Sequence, residues 1–300
     1  MPDRDPTPEL FAQFDLGSDP YPDLPVIPPE KLRDGDVLMM LGEGCAYIGP
    51  IPVPVSWLIR ALDGGAYSHS AVVSLIGGEP HVWDHSKNWA LGPVSLHDGI
   101  KDHKWCHVYR LYKHGEHAGS TRYPRAPLVK VLNDHEGDPY DKMLLLMAGV
   151  VAVISRMPED ALVREAVRIG MEAVVFAINW YVDHHDIRSG MLVCTAVTGL
   201  SYWSAFNEVP HDYALEVDIQ RHHAGRGDED WDRIIAKVKE VLTRVWPGFP
   251  DDLERFEQTL TSNAHWVEAG GPLLPVNLVS PSDLEFSRTL ERIGRLEIPR

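Results

Sequence analysis

Cys194 opens the stretch CTAVTGLSYWSAF, which follows a small-residue turn at Ser189-Gly190 and continues as a helix with Val197, Leu200 and Ser204 on one side. A thiol in the first turn of a helix feels the positive end of the helix dipole and backbone amides that have no partner within the helix. Both lower its pKa, and the amides can hold an oxyanion. The competing reading is a buried, inert thiol, because free cysteine is among the most buried residue types. Cys45, after a glycine-rich turn, and Cys106, in a strand beside Trp105, take that second reading. For Cys194 the choice depends on whether the chain supplies a base for the thiol proton and a group that orients the base.

His69 is the candidate base. In AYSHSAVVSLIGGEPHVWDHS, residues Tyr67, His69, Ala71, Val73 and Leu75 alternate onto one face, and Gly77-Gly78 supplies a hairpin turn. Taken alone, a histidine on such a face reads first as a core residue satisfied by a backbone carbonyl. The returning strand adds a partner. With an even-length loop and no bulge, parity puts Asp84, Ser86 and Asn88 on the face of His69 and turns His81, Trp83 and His85 away. Asp84 is then a direct or diagonal neighbour of His69. A carboxylate on one imidazole nitrogen fixes the tautomer and raises the basicity of the other nitrogen.

The elements that must position these groups follow from local pattern. Residues 1–30, rich in proline and aspartate, read as an extended arm. EKLRDGDVLMML predicts a turn at Asp34-Gly35-Asp36 and then an apolar strand, and WCHVYRLY predicts another strand. VPVSWLIRALDG predicts a helix ending near Gly64, with Trp57, Leu58 and Leu62 at helical spacing. DKMLLLMAGVVAVISRM and EDALVREAVRIGMEAVVFAINWYV read as a helical hairpin inserted at about 142–185. The first run is too short and interrupted for a membrane span. The second carries Arg164, Glu165, Arg168 and Glu172 on a polar stripe. An interfacial, lipid-contacting lid is the alternative for this pair. GDEDWDRIIAKVKEVLTRVW predicts a surface helix, and in SPSDLEFSRTLERI Ser280 is an N-cap, Pro281 the first helical residue and Asp283 a first-turn acid. Strands first and helices later indicate an α+β fold, with residues 31–300 as one domain.

The bulk properties exclude several classes. A net charge of -16 over 300 residues leaves no basic surface to displace counterions from nucleic acid, and disfavours electrostatic docking to an anionic membrane. The three cysteines have no paired spacing, so they make neither a disulfide framework nor a zinc ribbon. His184-His185, flanked by Asp183 and Asp186, and His222-His223 are the obvious histidine clusters. Adjacent histidines on a helix diverge, and no HExxH or CxxC spacing accompanies them, so no metal is expected. No glycine-rich phosphate loop or GxSxG is present, and no cofactor is expected. The start MPDRDPTPELF lacks the basic and apolar segments of a signal peptide, so the cytoplasm is the expected compartment.

The order His69, Asp84, Cys194 resembles the permuted NlpC-type papain-like cysteine hydrolases, the YiiX/YaeF-like group, in which the base strand precedes the nucleophile. LRDGDVLMM looks like the opening strand of that family, WLIRALDGGAYSHSAVVS like its helix and histidine strand, and HVWDHS like the strand ending in the orienting acid. EGDPYDKMLL is similar to its Gly-x-x-Tyr-Asp segment, MLVCTAVTGL to its cysteine helix, and VSPSDLEFSRTLERI to its Pro-x-Asp-Leu tail. The resemblance runs discontinuously from Leu32 to Ile293. The chain departs from the family with Asp84 in place of glutamate, Thr195-Ala196 in place of Ser-Glu after the cysteine, and a long gap between Tyr140 and Cys194.

The resemblance implies a permuted papain-like α+β core, with the nucleophile helix packed on an antiparallel sheet. It implies Cys194 as nucleophile, His69 as base and Asp84 as its orienter. Ser68, in the same Ser-His pair as the base, and Tyr140 fall at the substrate or oxyanion, although Tyr140 reads equally well as a core tyrosine. The expected activity is hydrolysis of an amide bond in a peptide, isopeptide or amino-acid amide. Two alternatives stay open: an acyltransferase or hydrolase acting on an acyl-lipid at the apolar helices, which would bring membrane contact, and a non-catalytic binding module.

Overall fold

Val37–Gly42 reads VLMMLG, an apolar run bounded by turn residues, as expected of a strand covered on both faces. In the computed structural model it is the interior strand β1. The structure describes residues 17–42, 65–84, 90–113, 125–138, 194–207 and 279–299, with shorter pieces between them. The other strands are β2 (Ala46–Ile48), β3 (Ile51–Val53), β4 (His69–Ile76), β5 (Glu79–Asp84), β6 (Gly92–Ser95), β7 (His103–Lys113), β8 (Glu116–His117), β9 (Glu216–Val217), β10 (Val267–Glu268) and β11 (Leu290–Leu296). The helices are α1 (Leu96–Ile100), α2 (Arg125–Asp134), α3 (Cys194–Asn207) and α4 (Pro281–Glu285). One antiparallel sheet runs in the order β11-β7-β1-β4-β5-β6, with β8 added on β7; β2 pairs β3 and β9 pairs β10 separately.

Alternation along these strands builds two faces. Leu38, Met40, Ala71, Val73, Val82, Cys106 and Val108 make one core with Leu32 and Ile100. On the other face, Ser70 of β4 meets Thr198 of α3, and α2 packs on α3. The sheet with helices laid on it is the α+β arrangement the sequence indicates. Its last element was not anticipated, however: the chain returns to the sheet as β11 instead of ending in helices. The helix at Pro281–Glu285 has the expected N-cap at Ser280, which the structure closes into a capping box with Asp283, but it stops after one short run. In the predicted helix before Gly64, Ser56, Ile59 and Arg60 are helical. The apolar hairpin at 142–185 and most of the predicted surface helix after Gly227 lie outside the described residues. Among the described residues no helix is long and apolar enough to cross a membrane.

The Asp34-Gly35-Asp36 turn is a polar knot that fixes three elements. Asp36 is fully buried and takes both arms of Arg110 from β7 at 2.7 Å each. Asp34 Oδ1 accepts from Leu75 N–H of β4 at 2.6 Å, and the Tyr202 hydroxyl of α3 donates to Gly35 O. Burial holds the Asp36 carboxyl above its ordinary range, and the Arg110 guanidinium offsets part of that rise. Gly35 sits at φ 85°, in the left-handed region that favours glycine.

Residues 17–30, within the arm read from sequence, form a strap on the sheet, with Leu24 to Ile27 against β11. Ile27 N–H donates to Arg295 O at 2.8 Å and Arg295 N–H to Pro25 O at 2.9 Å. A Cβ on Gly294 would come within 2.5 Å of Pro25 O, so only glycine allows this approach. Beneath the strap, Asp19 meets His107 at 3.1 Å, and His107 Nδ1 meets the Tyr67 hydroxyl at 2.7 Å. Tyr67 continues to Tyr109, which accepts from Arg292. Glu285 accepts from Ala66 N–H at 2.7 Å and from the Tyr21 hydroxyl at 2.9 Å. The chain leading into His69 is thereby held from both sides.

Replacing Asp36 by asparagine leaves Arg110 without its buried counter-charge. We expect a loss of about 3 kcal/mol of unfolding free energy, read from urea denaturation.

Candidate active site

The Gly77-Gly78 turn closes β4 on β5 in the register Ile76 to Glu79 through Val72 to Trp83. Both glycines adopt positive φ, 63° and 90°, as a two-residue hairpin turn requires. Continuing that register places Asp84 across from Ala71, one diagonal step from His69 on the same face. The side chains meet there: His69 Nε2 lies 3.1 Å from Asp84 Oδ1, with 18% and 9% of the side chains exposed. The parity expected from sequence is therefore the parity found.

Cys194 is the first residue of α3 in the described chain and is 4% exposed. Its thiol faces His69 closely enough for each group to shift the pKa of the other. With Nε2 engaged by Asp84, Nδ1 is the nitrogen left for the sulfur. The three groups picked from the sequence thus form one chain, thiol to imidazole to carboxylate.

Electrostatics favour charge separation along that chain. Burial alone would lower the His69 pKa, but the facing Cys194 sulfur and then the Asp84 carboxylate outweigh it and hold the imidazolium well above its ordinary range. Burial alone would raise the Cys194 thiol, but the His69 charge, its hydrogen bond and a hydrogen bond from the Ser70 backbone bring it below its ordinary value. Cys106 shows the contrast. It is fully buried in the core, and burial alone pushes its thiol far up, as an inert cysteine should behave. Cys45 lies outside the described residues.

Three residues the sequence reading did not single out complete the geometry. The Ser70 hydroxyl lies 2.9 Å from Thr198 Oγ1 and donates to Cys194 O at 3.5 Å, so β4 grips the first turn of α3 one residue after the base. The signal for Ser70 is present in the sequence: Ser70 and Ser74 alternate with Val72 on a strand whose two faces are both buried. The third residue is His103, whose ring stacks on His69 at 5.4 Å and 25°. Burial, then the neighbouring His69 charge, lower its pKa to about 4, so it stays neutral beside the imidazolium. Nothing local in the sequence marks His103, because β7 and β4 are brought together only through β1.

Ser68 Oγ accepts from Gly42 N–H at 3.2 Å, and Ser68 N–H donates to Met40 O at 3.0 Å, so its hydroxyl pins the end of β1 beside the base. Tyr140, His184-His185 and His222-His223 lie outside the described residues. Among the described residues no three His, Cys, Asp or Glu side chains gather as metal ligands.

No family model matches this chain, and no curated protein matches it. Among solved structures the chain is similar to the metalloprotein YiiX from Escherichia coli O157:H7, with a TM-score of 0.43 and 12% identity, covering 89% of this chain and 98% of that one.

Asp84→Asn removes the carboxylate that stabilises the imidazolium. The His69 pKa should fall, so the thiolate–imidazolium pair gives up its imidazolium proton at lower pH and its pH window closes from the alkaline end. Imidazole NMR titration of the variant reads that shift directly.

Proposed function

We propose that the protein is a cysteine hydrolase that cleaves amide bonds through a thioester acyl-enzyme. The observation that carries this reading is the continuous contact Cys194–His69–Asp84, with the thiol pulled down and the imidazole pushed up. A buried thiol without such a partner is pushed the other way, as Cys106 is. The order of base strand before nucleophile helix, with that helix gripped against the base strand, supports a permuted papain-like core of the NlpC type.

In this mechanism the Cys194 thiolate attacks the carbonyl carbon, and the carbonyl electron pair moves to oxygen. The backbone N–H at the start of α3 stabilises that oxyanion. The imidazolium of His69 gives its proton to the leaving nitrogen as the C–N bond breaks, which releases the amine and leaves a thioester on Cys194. His69, now neutral, removes a proton from water as the water oxygen attacks the thioester. Collapse of that intermediate releases the carboxylic acid and restores the thiolate beside the imidazolium. Asp84 keeps the ring oriented and its charge compensated throughout.

Screening against peptidyl and amino-acyl amides with a chromogenic amine tests the reading. Cys194→Ala should abolish turnover, and His69→Ala should lower kcat by about 10²–10⁴-fold, the usual size of a lost general acid–base group. Turnover that survives Cys194→Ala unchanged would remove Cys194 from the chemistry.

A further inference from the structure

A cavity of about 830 Å³ opens beside the dyad, lined by residues from the start of β7, the end of β11 and the strap. His103 belongs both to its wall and to the stack on His69, so the cavity begins one ring away from the base. Its wall holds two cations anchored without being neutralised. Lys104 Nζ donates to Gly17 O at 2.6 Å and Arg295 Nε to Leu24 O at 3.3 Å. Among the described residues neither pairs with a carboxylate. Carbonyl acceptors fix the direction of a cation and leave its charge for another partner. Lys101, also in the wall, is committed to Asp98 at 2.9 Å.

Neutral donors stand with these cations. Trp105 lines the same cavity, is 4% exposed, and its indole Nε1 has no hydrogen-bond partner. His103 Nδ1 is likewise buried and unpartnered. A buried indole N–H left unpaired costs on the order of 1–3 kcal/mol, a cost that an acceptor in the cavity would offset. In a chain of net charge -16, Lys104 and Arg295 stand at one cavity beside a buried indole N–H that has no hydrogen-bond partner.

We propose that this cavity is a subsite for a carboxylate carried by the substrate, beside the bond that Cys194 attacks; the proposal rests on the cysteine-hydrolase reading above. A singly charged anion suits the wall better than a phosphate dianion. Asp19 and Glu297 also line the cavity and match Lys104 and Arg295 in number, so the wall would select by where its cations stand and not by a net positive charge. Asp19 is itself held by His107. The enzyme would then select acyl groups bearing a free carboxylate, with Lys104, Arg295 and Trp105 as its recognition groups.

The test uses matched thiol-alkylating probes: N-iodoacetyl-β-alanine, its neutral amide, and the corresponding phosphonate. Each is scored by its labelling rate at Cys194 of the full chain. The carboxylate probe should label about tenfold faster than the amide, the size of one charge-assisted hydrogen bond. That ratio should fall toward unity in Lys104→Gln and in the Lys104→Gln/Arg295→Gln double variant. Because the ratio is the readout, a general loss of reactivity cancels, and Lys104→Gln alone alters an exposed side chain should the double variant fail to fold. Equal labelling by carboxylate and amide, or a preference that survives both variants, overturns the subsite. Faster labelling by the phosphonate overturns its assignment to a carboxylate. If no probe labels Cys194 faster than an ordinary thiol, the hydrolase reading fails on its own. Calorimetric binding of glutarate then decides the cavity separately: binding lost in Lys104→Gln supports it, and no binding to the wild-type chain overturns it.

Discussion

The site depends on the register of one hairpin. Side chains on a strand alternate with period two, so a slip of one residue between β4 and β5 would send Asp84 to the opposite face and leave His69 without its carboxylate. The two-residue turn at Gly77-Gly78, with both glycines at positive φ, holds that register. From it follow the His69–Asp84 contact and the orientation of the ring. Asp34 strengthens the same constraint from outside the hairpin by accepting from Leu75 N–H near the turn.

A correct register places the base and its acid, but the nucleophile arrives from a separate element more than one hundred residues later. The seat of α3 is therefore the second requirement. It is held near its start, by Ser70 on Thr198 and Cys194 O, and again one turn beyond Thr198, by Tyr202 on Gly35 O. The Asp34-Gly35-Asp36 turn thus serves both parts of the site. Asp34 binds the base strand, Gly35 receives the nucleophile helix, and Asp36 locks the turn to β7 through Arg110. The buried Asp36 carboxylate has its counter-charge in Arg110, which offsets the cost of taking it out of water.

What could be read from sequence was what local periodicity controls. The alternation in AYSHSAVVSLIGGEPHVWDHS set the parity of His69 and Asp84, and the small-residue turn before CTAVTGL marked the start of a helix. The capping box at Ser280 was equally local. Features that depend on distant pairing were not readable. Leu290–Leu296 carries Glu291, Arg292 and Arg295 among its apolar residues, a composition suited to an edge strand but equally to a solvated helix, and only pairing with β7 decides it. His103 escaped notice for the same reason, since its contact with His69 spans β1. The docking of the strap on β11 rests on a glycine contact, Gly294 against Pro25, that no periodicity announces.

The central claim is that Cys194 rests as a thiolate beside an imidazolium. The most direct measurement is the rate of Cys194 carboxamidomethylation by iodoacetamide as a function of pH, read by mass spectrometry on the peptide that carries it, with Cys106 as an internal reference. The account expects the rate to rise through a pKa below the ordinary thiol range, well before that of Cys106. A rate that rises only near the ordinary thiol value of about 8.5 would contradict it.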